Sequence, residues 1–502
     1  MIDRDLASIA EARRLIERAQ AAQEKLLDFS QADIDRVCAK MAEVGYANAG
    51  SLASMAVEET GLGVVKDKVV KNQFATKNVW DHIRGLRTVG IISEDPVRGV
   101  SEIAVPLGVI AGLLPTTNPT STAMFKAIVS VKARNAIVFS PHPRAAKCSC
   151  AAARLMNDAA REAGAPDGVV GCLESVTEEG TRELMHHRQV AAILATGGTA
   201  MVRAAYSSGK PAWGVGPGNV PAFIERTADI PRAVSDILAS KTFDNGTICA
   251  SEQAIVTETA IEADVLRELS AQGAHILSEA EAGAVQRVVV SPTGGINPKV
   301  VGQSAAKIAE MAGIRVPSGT RVLVARLSGV GREHPLSMEK LCPVLAFYSE
   351  RDWESACERC IELLKFGGLG HSLAIHSRNE AVIREFALKK PVFRILVNTP
   401  SSQGAIGFTT GLHPSLTLGC GAWGGNITSD NVGPLHLINI KRLARHVRDL
   451  GGGKPVSRGE EADKPAHGDE ALPGAARGLG AAETGLSRQT SPNQAGRPGL
   501  SP

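Results

Sequence analysis

One cysteine stands in a loop that could present it to a substrate. Cys249 lies in segment 242–253 (TFDNGTICASEQ), which carries a glycine and precedes the apolar run 254–256. A thiol is a strong nucleophile only as the thiolate, which requires partial exposure and nearby positive charge or N–H donors. A loop can supply both. The chain has nine cysteines, and most cysteines pack as small hydrophobic side chains, so Cys249 alone leaves a nucleophilic and a structural interpretation open.

Three predicted strand-to-helix junctions carry unusual residues. They are segments 115–120 (PTTNPT), 140–144 (SPHPR) and 196–198 (TGG). In the third, missing side chains would let a phosphate or a cofactor approach backbone N–H groups at the start of a helix. Each segment could instead be a tight connection. The usual G-x-G-x-x-G dinucleotide motif is absent, since the alternating glycines of 214–218 precede a strand.

A histidine follows a second glycine-rich turn. His371 ends the turn 367–371 (GGLGH) and precedes the apolar residues 373–375. A histidine can transfer protons near neutral pH, but a lone histidine at a strand start is more often structural. Another glycine-dense loop, 419–426, carries a cysteine and a tryptophan, and its pattern does not fix a role.

The sequence predicts helices for the N-terminal part of the chain, ahead of the segments that carry these residues. Apolar side chains at helical spacing predict an amphipathic helix over residues 3–28. Ser30 with Asp33 predicts a capping box at the start of a second helix, and a third around 52–60 ends near a Gly-Leu-Gly breaker.

From about residue 103, short β-branched runs alternate with helical segments. This alternation predicts α/β lobes with mostly parallel sheets, whose ligands bind at the carboxyl ends of the strands. The first lobe has predicted strands over 105–114, 136–140, 190–195 and 220–224 and helices over 121–132, 145–163 and 199–208. The second has predicted strands at 255–256, 322–325, 344–348 and 395–398 and helices over 260–272 and 352–365.

Composition excludes several classes of protein. Of 502 residues, 44% are hydrophobic and 21% charged, and the formal net charge of +3 is too small to indicate nucleic acid or a membrane surface as partner. An odd number of irregularly spaced cysteines favours a reducing compartment, and a cytoplasmic location is expected because no signal-like or 18-residue apolar run occurs. No metal is predicted, since the pairs at 148 and 150 and at 357 and 360 lack a second ligand pair.

The composition shifts at residue 451. Segment 451–502 is rich in Gly, Pro, Ser and Ala and has almost no large apolar residue. Such a segment cannot bury enough surface to offset its chain entropy, so it is predicted to be a disordered tail. A docking peptide for a partner or a shell within 470–486 is the alternative.

Taken together, six segments closely resemble the CoA-acylating aldehyde dehydrogenases. The resemblance is closest to the aldehyde dehydrogenase half of bifunctional aldehyde-alcohol dehydrogenases and to stand-alone relatives that act on acetaldehyde, propionaldehyde or sulfoacetaldehyde. It covers about residues 3–450. The segments are 115–121 (PTTNPTS), 135–144 (NAIVFSPHPR), 193–198 (ILATGG), 205–219 (AYSSGKPAWGVGPGN), 242–253 (TFDNGTICASEQ) and 416–426 (LTLGCGAWGGN).

The resemblance implies an α/β, aldehyde dehydrogenase-like fold. A Rossmann-like cofactor domain with N-terminal helices would occupy residues 1–220, and an α/β catalytic domain residues 221–412. Segment 413–450 would return to the core and to oligomer contacts. A small oligomerisation extension is also implied, with assembly as a homo-oligomer, a dimer or larger.

The resemblance also assigns expected roles to individual residues. Cys249 resembles the nucleophile, Asn118 an oxyanion donor beside the Cys249 backbone N–H, and His371 a histidine that assists the CoA half-reaction. The implied cofactor is NAD or NADP, with coenzyme A as co-substrate. The cofactor-binding residues that it implies are Thr116, Ser140, Pro141, His142, Thr196, Gly197, Gly198, Gly216 and Glu339.

One departure from the hydrolytic aldehyde dehydrogenases is informative. Those enzymes place a glutamate general base about where Val215 stands, so here a thiol is the more plausible acyl acceptor than water. The expected reaction is oxidation of a short aldehyde to acyl-CoA through a thiohemiacetal and a thioester on Cys249. The alternatives are a hydrolytic aldehyde dehydrogenase and a non-catalytic, shell-associated subunit that keeps the fold. The choice between NAD and NADP stays open: Arg144 could meet a 2′-phosphate or pair with an acidic surface group.

Overall fold

The computed structural model describes residues 3–448, except for the side chain of Thr199. The predicted disordered tail, 451–502, lies outside the described residues. Within the described residues, no helix is both long enough and apolar enough to cross a membrane.

Helices form the first part of the chain. They are α1 Arg4–Leu26, α2 Gln31–Ala47, α3 Ala49–Thr60, α4 Val65–Gln73 and α5 Val79–Ile83, with a π-helical turn, Phe74–Asn78, between the last two. The capping box predicted at Ser30 and Asp33 is present at the start of α2, and Gly61 ends α3 in the left-handed conformation with φ of 69°. The sequence analysis missed α4 and α5. Helix α4 has no apolar stripe, because Lys68 and Lys71 occupy its buried face.

A two-stranded antiparallel ribbon, β1 Gly90–Asp95 and β2 Val100–Pro106, follows these helices. The prediction of one continuous strand over 105–114 is wrong. The chain leaves the ribbon after Pro106 and turns at Gly108, whose φ of 129° suits glycine alone. Only the residues from Val109 onward enter the first parallel sheet.

The first parallel sheet has five strands in the order β5-β4-β3-β6-β7. Its strands are β3 Val109–Leu114, β4 Ala136–Pro141, β5 Val170–Cys172, β6 Val190–Ala195 and β7 Ala212–Gly214. The helices of this lobe are α6 Pro119–Lys132, α7 Ala146–Glu162, α8 Glu178–His186 and α9 Thr199–Ser207. The predicted strands at 136–140 and 190–195 and the three predicted helices are confirmed.

The second parallel sheet has seven strands in the order β10-β11-β12-β9-β8-β13-β14. Its strands are β8 Val220–Ile224, β9 Glu252–Glu258, β10 Ala274–Ile276, β11 Val322–Arg326, β12 Val344–Glu350, β13 Gly370–His376 and β14 Val392–Val397. Its helices are α10 Ile230–Thr242, α11 Glu262–Ala271, α12 Glu279–Val289, α13 Ala305–Met311, α14 Trp353–Gly367, α15 Glu380–Lys389 and α16 Ser401–Ala405. The predicted strand over 220–224, assigned to the first lobe by its place in the sequence, belongs to this second sheet.

The last strand returns to the ribbon. Strand β15, Ile438–Ala444, pairs antiparallel with β2 and makes a three-stranded sheet, β1-β2-β15. The domain boundaries expected from the resemblance remain predictions, although the three sheets divide the chain near residues 108 and 219.

The central strands of the two parallel sheets are buried on both faces. Every residue of β3, β4 and β9 is buried, as expected of parallel strands covered on both sides. Helix α6 is buried along its whole length. Its Lys126 Nζ donates to the carbonyls of Leu113 and Leu194, at 2.8 Å each, and so ties the ends of β3 and β6 together.

The fold brings the backbone of Gly218 against the cysteine loop, which yields a prediction about packing. A Cβ at Gly218 would lie 1.8 Å from the Cys249 carbonyl oxygen, which is backbone and cannot move aside cheaply. Gly218→Ala should therefore lower the free energy of unfolding by about 1–3 kcal/mol, and the midpoint of thermal unfolding should fall with it. Gly50→Ala is the matched control, because an added Cβ there, on helix α3, meets nothing within 4 Å. Equal midpoints for the two variants would contradict the packing described here.

Candidate active site

A cavity of about 830 Å³ lies at the carboxyl ends of the strands of the five-stranded sheet and extends to the cysteine loop. All of the predicted site residues except His371 line it. These are Thr116, Asn118, Ser140, Pro141, His142, Thr196, Gly197, Gly198, Gly216, Cys249 and Glu339. The cavity is therefore large enough to admit an extended ligand, and the thiol is not sealed in the interior.

Cys249 is held by a strained turn between α10 and β9. Asp244 and Asn245 have left-handed backbone conformations, with φ of 51° and 53°, and Gly246 continues the turn at 76°. The Cys249 side chain is half-buried and faces the cavity. Burial, followed by the charge of Glu339, raises the pKa of the Cys249 thiol to about 12, against an opposing effect of the Arg394 guanidinium. With this pKa the thiol is protonated at neutral pH.

Glu339 lies between the thiol and the glycine-rich strand start. Its Oε1 accepts a hydrogen bond from the Gly218 backbone N–H at 3.1 Å. Burial raises the pKa of Glu339 to about 7, against smaller lowering effects of that N–H and of Lys241 and Lys340. Because a carboxylate and a thiolate repel each other in this buried setting, the charge of Glu339 disfavours ionisation of the Cys249 thiol.

Asn118 is oriented by three neighbours at the start of α6. Its Nδ2 donates to Thr117 Oγ1 at 3.1 Å and to the Thr247 carbonyl at 3.3 Å, two residues before the thiol. Its Oδ1 accepts a hydrogen bond of 2.6 Å from Lys71 Nζ. Lys71 also lines the cavity, and the sequence analysis missed it.

His371 lies in strand β13 and does not line the cavity. It is fully buried, its Nδ1 lies 3.0 Å from Ser372 Oγ, and its Nε2 has no hydrogen-bond partner among the described residues. A Cβ at Gly218 would lie 3.3 Å from this Nε2 as well as against the Cys249 carbonyl. His371 is therefore next to the cysteine loop, with one layer of glycine backbone between them.

Arg394 is a second residue near the thiol that the sequence analysis missed. It is a buried cation on β14 that donates to the Ser429 carbonyl at 3.1 Å, to Asn431 Oδ1 at 3.3 Å and to Ser372 Oγ at 3.4 Å. Burial, and after it the Arg394 charge, lowers the pKa of His371 to about 3. His371 is neutral at physiological pH.

The far end of the cavity is formed by the start of α9 and the end of β4. Gly198 caps helix α9 without a side-chain hydrogen bond, so the first N–H groups of this helix can bind a phosphate. Ser140 Oγ is hydrogen-bonded to Thr181 Oγ1 at 2.8 Å at the end of β4, which fixes the strand end. These residues would hold the pyrophosphate and adenosine ends of a nicotinamide cofactor.

Arg144, which the sequence analysis considered for a 2′-phosphate or a surface partner, donates to the Thr60 carbonyl at 3.3 Å and is not among the cavity-lining residues. Its role toward a 2′-phosphate stays a prediction. Helix α8 instead supplies Glu178, Arg182 and His186 to the cavity. Their helical spacing was visible in the sequence, but nothing there indicated that this face of α8 meets a ligand.

Val215, the position at which the hydrolytic aldehyde dehydrogenases are expected to place a glutamate, lines the cavity and is 6% exposed.

The raised pKa of the thiol gives a titration prediction for the ligand-free enzyme. Alkylation of Cys249 by iodoacetamide should accelerate about tenfold per pH unit from pH 7 to pH 9 without a plateau, since the thiolate fraction grows that way below the pKa. Glu339→Gln keeps an acceptor for the Gly218 N–H but removes the charge that raises the thiol pKa, so alkylation at pH 8 should become faster. Peptide mass spectrometry with Cys249→Ala as blank identifies the labelled thiol. A plateau below pH 8 would show a pre-formed thiolate.

Comparison with known proteins identifies the family of this chain. The aldehyde dehydrogenase family profile matches residues 3–313. The bifunctional aldehyde-alcohol dehydrogenase of Escherichia coli is 46% identical over 451 residues, which are 89% of this chain and 50% of that protein. The chain thus spans about half the length of this relative.

Two solved structures resemble the chain over nearly their whole length. An acetylating aldehyde dehydrogenase from Geobacillus thermoglucosidasius is 52% identical with a TM-score of 0.89, covering 90% of this chain and 99% of that one. A propionaldehyde dehydrogenase from Rhodopseudomonas palustris, with bound CoA and an acylated cysteine, is 29% identical with a TM-score of 0.79, covering 86% of this chain and 97% of that one. This chain belongs to the aldehyde dehydrogenase family, and within it to the acylating branch.

Proposed function

We propose that the chain is a CoA-acylating aldehyde dehydrogenase, which converts a short aldehyde, CoA and NAD or NADP to acyl-CoA and the reduced cofactor. The observation that carries this proposal is a single cavity that joins the Cys249 thiol to a dinucleotide-sized channel, with Val215 where a water-activating base would stand. The E. coli, Geobacillus and Rhodopseudomonas relatives support it by their activities.

Cys249 is the proposed nucleophile. Its thiol must lose a proton before attack, and the Glu339 carboxylate, with a pKa of about 7, is the cavity-lining group next to it that can accept one. Attack on the aldehyde carbon gives a thiohemiacetal oxyanion, which Asn118 Nδ2 and the Cys249 backbone N–H are proposed to stabilise. The nicotinamide, when bound, supplies the hydride acceptor. The thioester then remains on Cys249.

The second half-reaction exchanges one thioester for another. Because the two thioesters have similar free energies, transfer of the acyl group from Cys249 to CoA is reversible. His371 is proposed to assist the incoming thiol from the protein side of the cysteine loop, where its unpaired Nε2 lies. Burial keeps this imidazole neutral, so a proton does not have to leave the ring before Nε2 accepts one from the CoA thiol.

We also propose a homo-oligomer, a dimer or larger, in the cytoplasm. Exposed apolar side chains support the assembly: Phe393 on β14 and Trp423 stack with ring centroids 4.9 Å apart and remain 40% and 56% exposed. All nine cysteines are free, as in a reducing compartment. The adenosine-side residues are compatible with NAD or NADP.

The acyl acceptor is tested by withholding CoA. With acetaldehyde, propionaldehyde or sulfoacetaldehyde, and with either cofactor, formation of reduced nicotinamide should stop near one equivalent per Cys249 without CoA and continue when CoA is added. Cys249→Ala should abolish acyl-CoA formation while cofactor binding, followed by fluorescence, persists. Free acid produced at the same rate without CoA would support the hydrolytic alternative, and cofactor binding without turnover of any aldehyde would support the shell-associated subunit.

The role of His371 is tested with a matched histidine. His371→Ala should keep the one-equivalent burst of reduced nicotinamide but slow steady-state acyl-CoA formation about a hundredfold, as loss of a proton-transfer group does. His376 is the control, because it lies on the same strand, is 1% exposed and also has an unpaired Nε2. Equal losses in His371→Ala and His376→Ala would mean that strand packing, not proton transfer, explains the effect.

A further inference from the structure

Two lysines of α4 share one buried carboxylate beside the candidate site. Lys68 Nζ lies 2.9 Å and Lys71 Nζ 2.5 Å from the same oxygen, Oδ2 of Asp244. The three side chains are at most 3% exposed. Buried charges are stable only when they are paired and hydrogen-bonded. Here the two ammonium groups share the Asp244 carboxylate, and the Asp67 carboxylate also favours the charged form of Lys71. The remaining ammonium protons are held by other oxygen atoms.

The two lysines differ in where their remaining donors go. Lys68 Nζ donates to the Thr117 backbone carbonyl at 2.8 Å. Lys71 Nζ donates to Asn118 Oδ1 at 2.6 Å and to Thr247 Oγ1 at 3.0 Å, which uses all three of its protons. Burial lowers the pKa of Lys71 to about 8, with Asp244 opposing this effect, so the group is mainly charged at pH 7.

The hydrogen bond from Lys71 to Oδ1 fixes the orientation of the Asn118 side-chain amide. A side-chain amide has an acceptor end and a donor end of nearly the same shape, and its orientation follows from its partners. An ammonium on Oδ1 excludes the flipped orientation, because the NH₂ group would then face three ammonium protons. The two Nδ2 protons are thereby directed to Thr117 Oγ1 and to the Thr247 carbonyl, and an oxyanion on the substrate has to replace one of these two acceptors.

We propose that Lys71 is a positioning residue of this site: its ammonium holds the Asn118 amide with Nδ2 toward the reacting carbonyl and strengthens that donor for the oxyanion. A charge-assisted hydrogen bond to the carbonyl end of an amide withdraws electron density from its N–H groups, so the donor becomes stronger when the oxyanion forms. The inference rests on the proposed roles of Cys249 and Asn118. It adds a cationic residue, 47 positions away in the sequence, that acts through the Asn118 amide.

The test uses a reaction that needs the oxyanion site but neither nicotinamide nor CoA. p-Nitrophenyl acetate acylates a thiolate through a tetrahedral oxyanion and releases nitrophenolate, with the proton of the thiol passing to solvent or to a base. Iodoacetamide alkylates the same thiolate without forming an oxyanion. The ratio of the two rates at Cys249, with Cys249→Ala subtracted, therefore reports on oxyanion stabilisation separately from the thiolate fraction.

Lys71→Met should lower this ratio about tenfold, and Asn118→Ala about a hundredfold, in the range known for loss of an oxyanion donor. In the Asn118→Ala background, Lys71→Met should lower the ratio no further, because Lys71 acts through that amide. In aldehyde oxidation, Lys71→Met should reduce the rate constant of the burst at saturating aldehyde and leave the aldehyde concentration at half-saturation nearly unchanged.

Lys68→Met is the matched control. It removes an equally buried partner of the same Asp244 oxygen but does not contact Asn118. Both lysine variants should lower the thermal midpoint, and only Lys71→Met should lower the rate ratio. Equal ratios in the two variants, or an additive effect of Lys71→Met on Asn118→Ala, would overturn the proposal. A wild-type enzyme that reacts with the ester but gives no CoA-dependent aldehyde oxidation would refute the proposed function alone, since the ester assay still tests Lys71.

Discussion

The burial of the Asp244 carboxylate constrains this structure more than any other single interaction. A carboxylate removed from water needs compensating charge and hydrogen bonds, or it costs several kcal/mol. Asp244 obtains them from Lys68 and Lys71 on α4 and from the backbone N–H of Val64. These contacts tie the N-terminal helices to the turn that carries Cys249. The left-handed backbone at Asp244 is thereby held in place, because relaxing the turn would separate the charges.

Burial and nearby charges together set the protonation states of the residues in the site. The thiol, Glu339 and His371 are all removed from water, and each has its pKa shifted toward the uncharged form. Arg394 supplies a buried positive charge near the thiol, bonded to the Ser429 carbonyl and to Asn431 Oδ1, with the Asp430 carboxylate acting on it from a longer distance. Cys249 and His371 are therefore neutral at physiological pH and Glu339 is partly ionised, and the nearby charges of Lys71 and Arg394 favour a negative charge that develops on the substrate.

Much of this arrangement could be predicted from the sequence. Apolar periodicity and alternating strand and helix patterns located β4, β6, β8 and half of the α-helices, and the segments around Asn118, Ser140, Gly197 and Cys249 indicated one site before their contacts were known. Helix α4 was missed because its buried face is made of lysines, and hydrophobic periodicity has no signal for a helix packed through charge. For the same reason Lys71 was not found. The burial of Arg394 likewise depends on contacts to loops distant in sequence, which no local pattern contains.

The protonated thiol has a consequence for how the protein tolerates oxidants. Peroxide oxidises thiolates and spares thiols, so the raised pKa of Cys249 makes its sulfur a slow target for peroxide at neutral pH. The same burial that holds the proton on this sulfur therefore also protects it in aerobic surroundings.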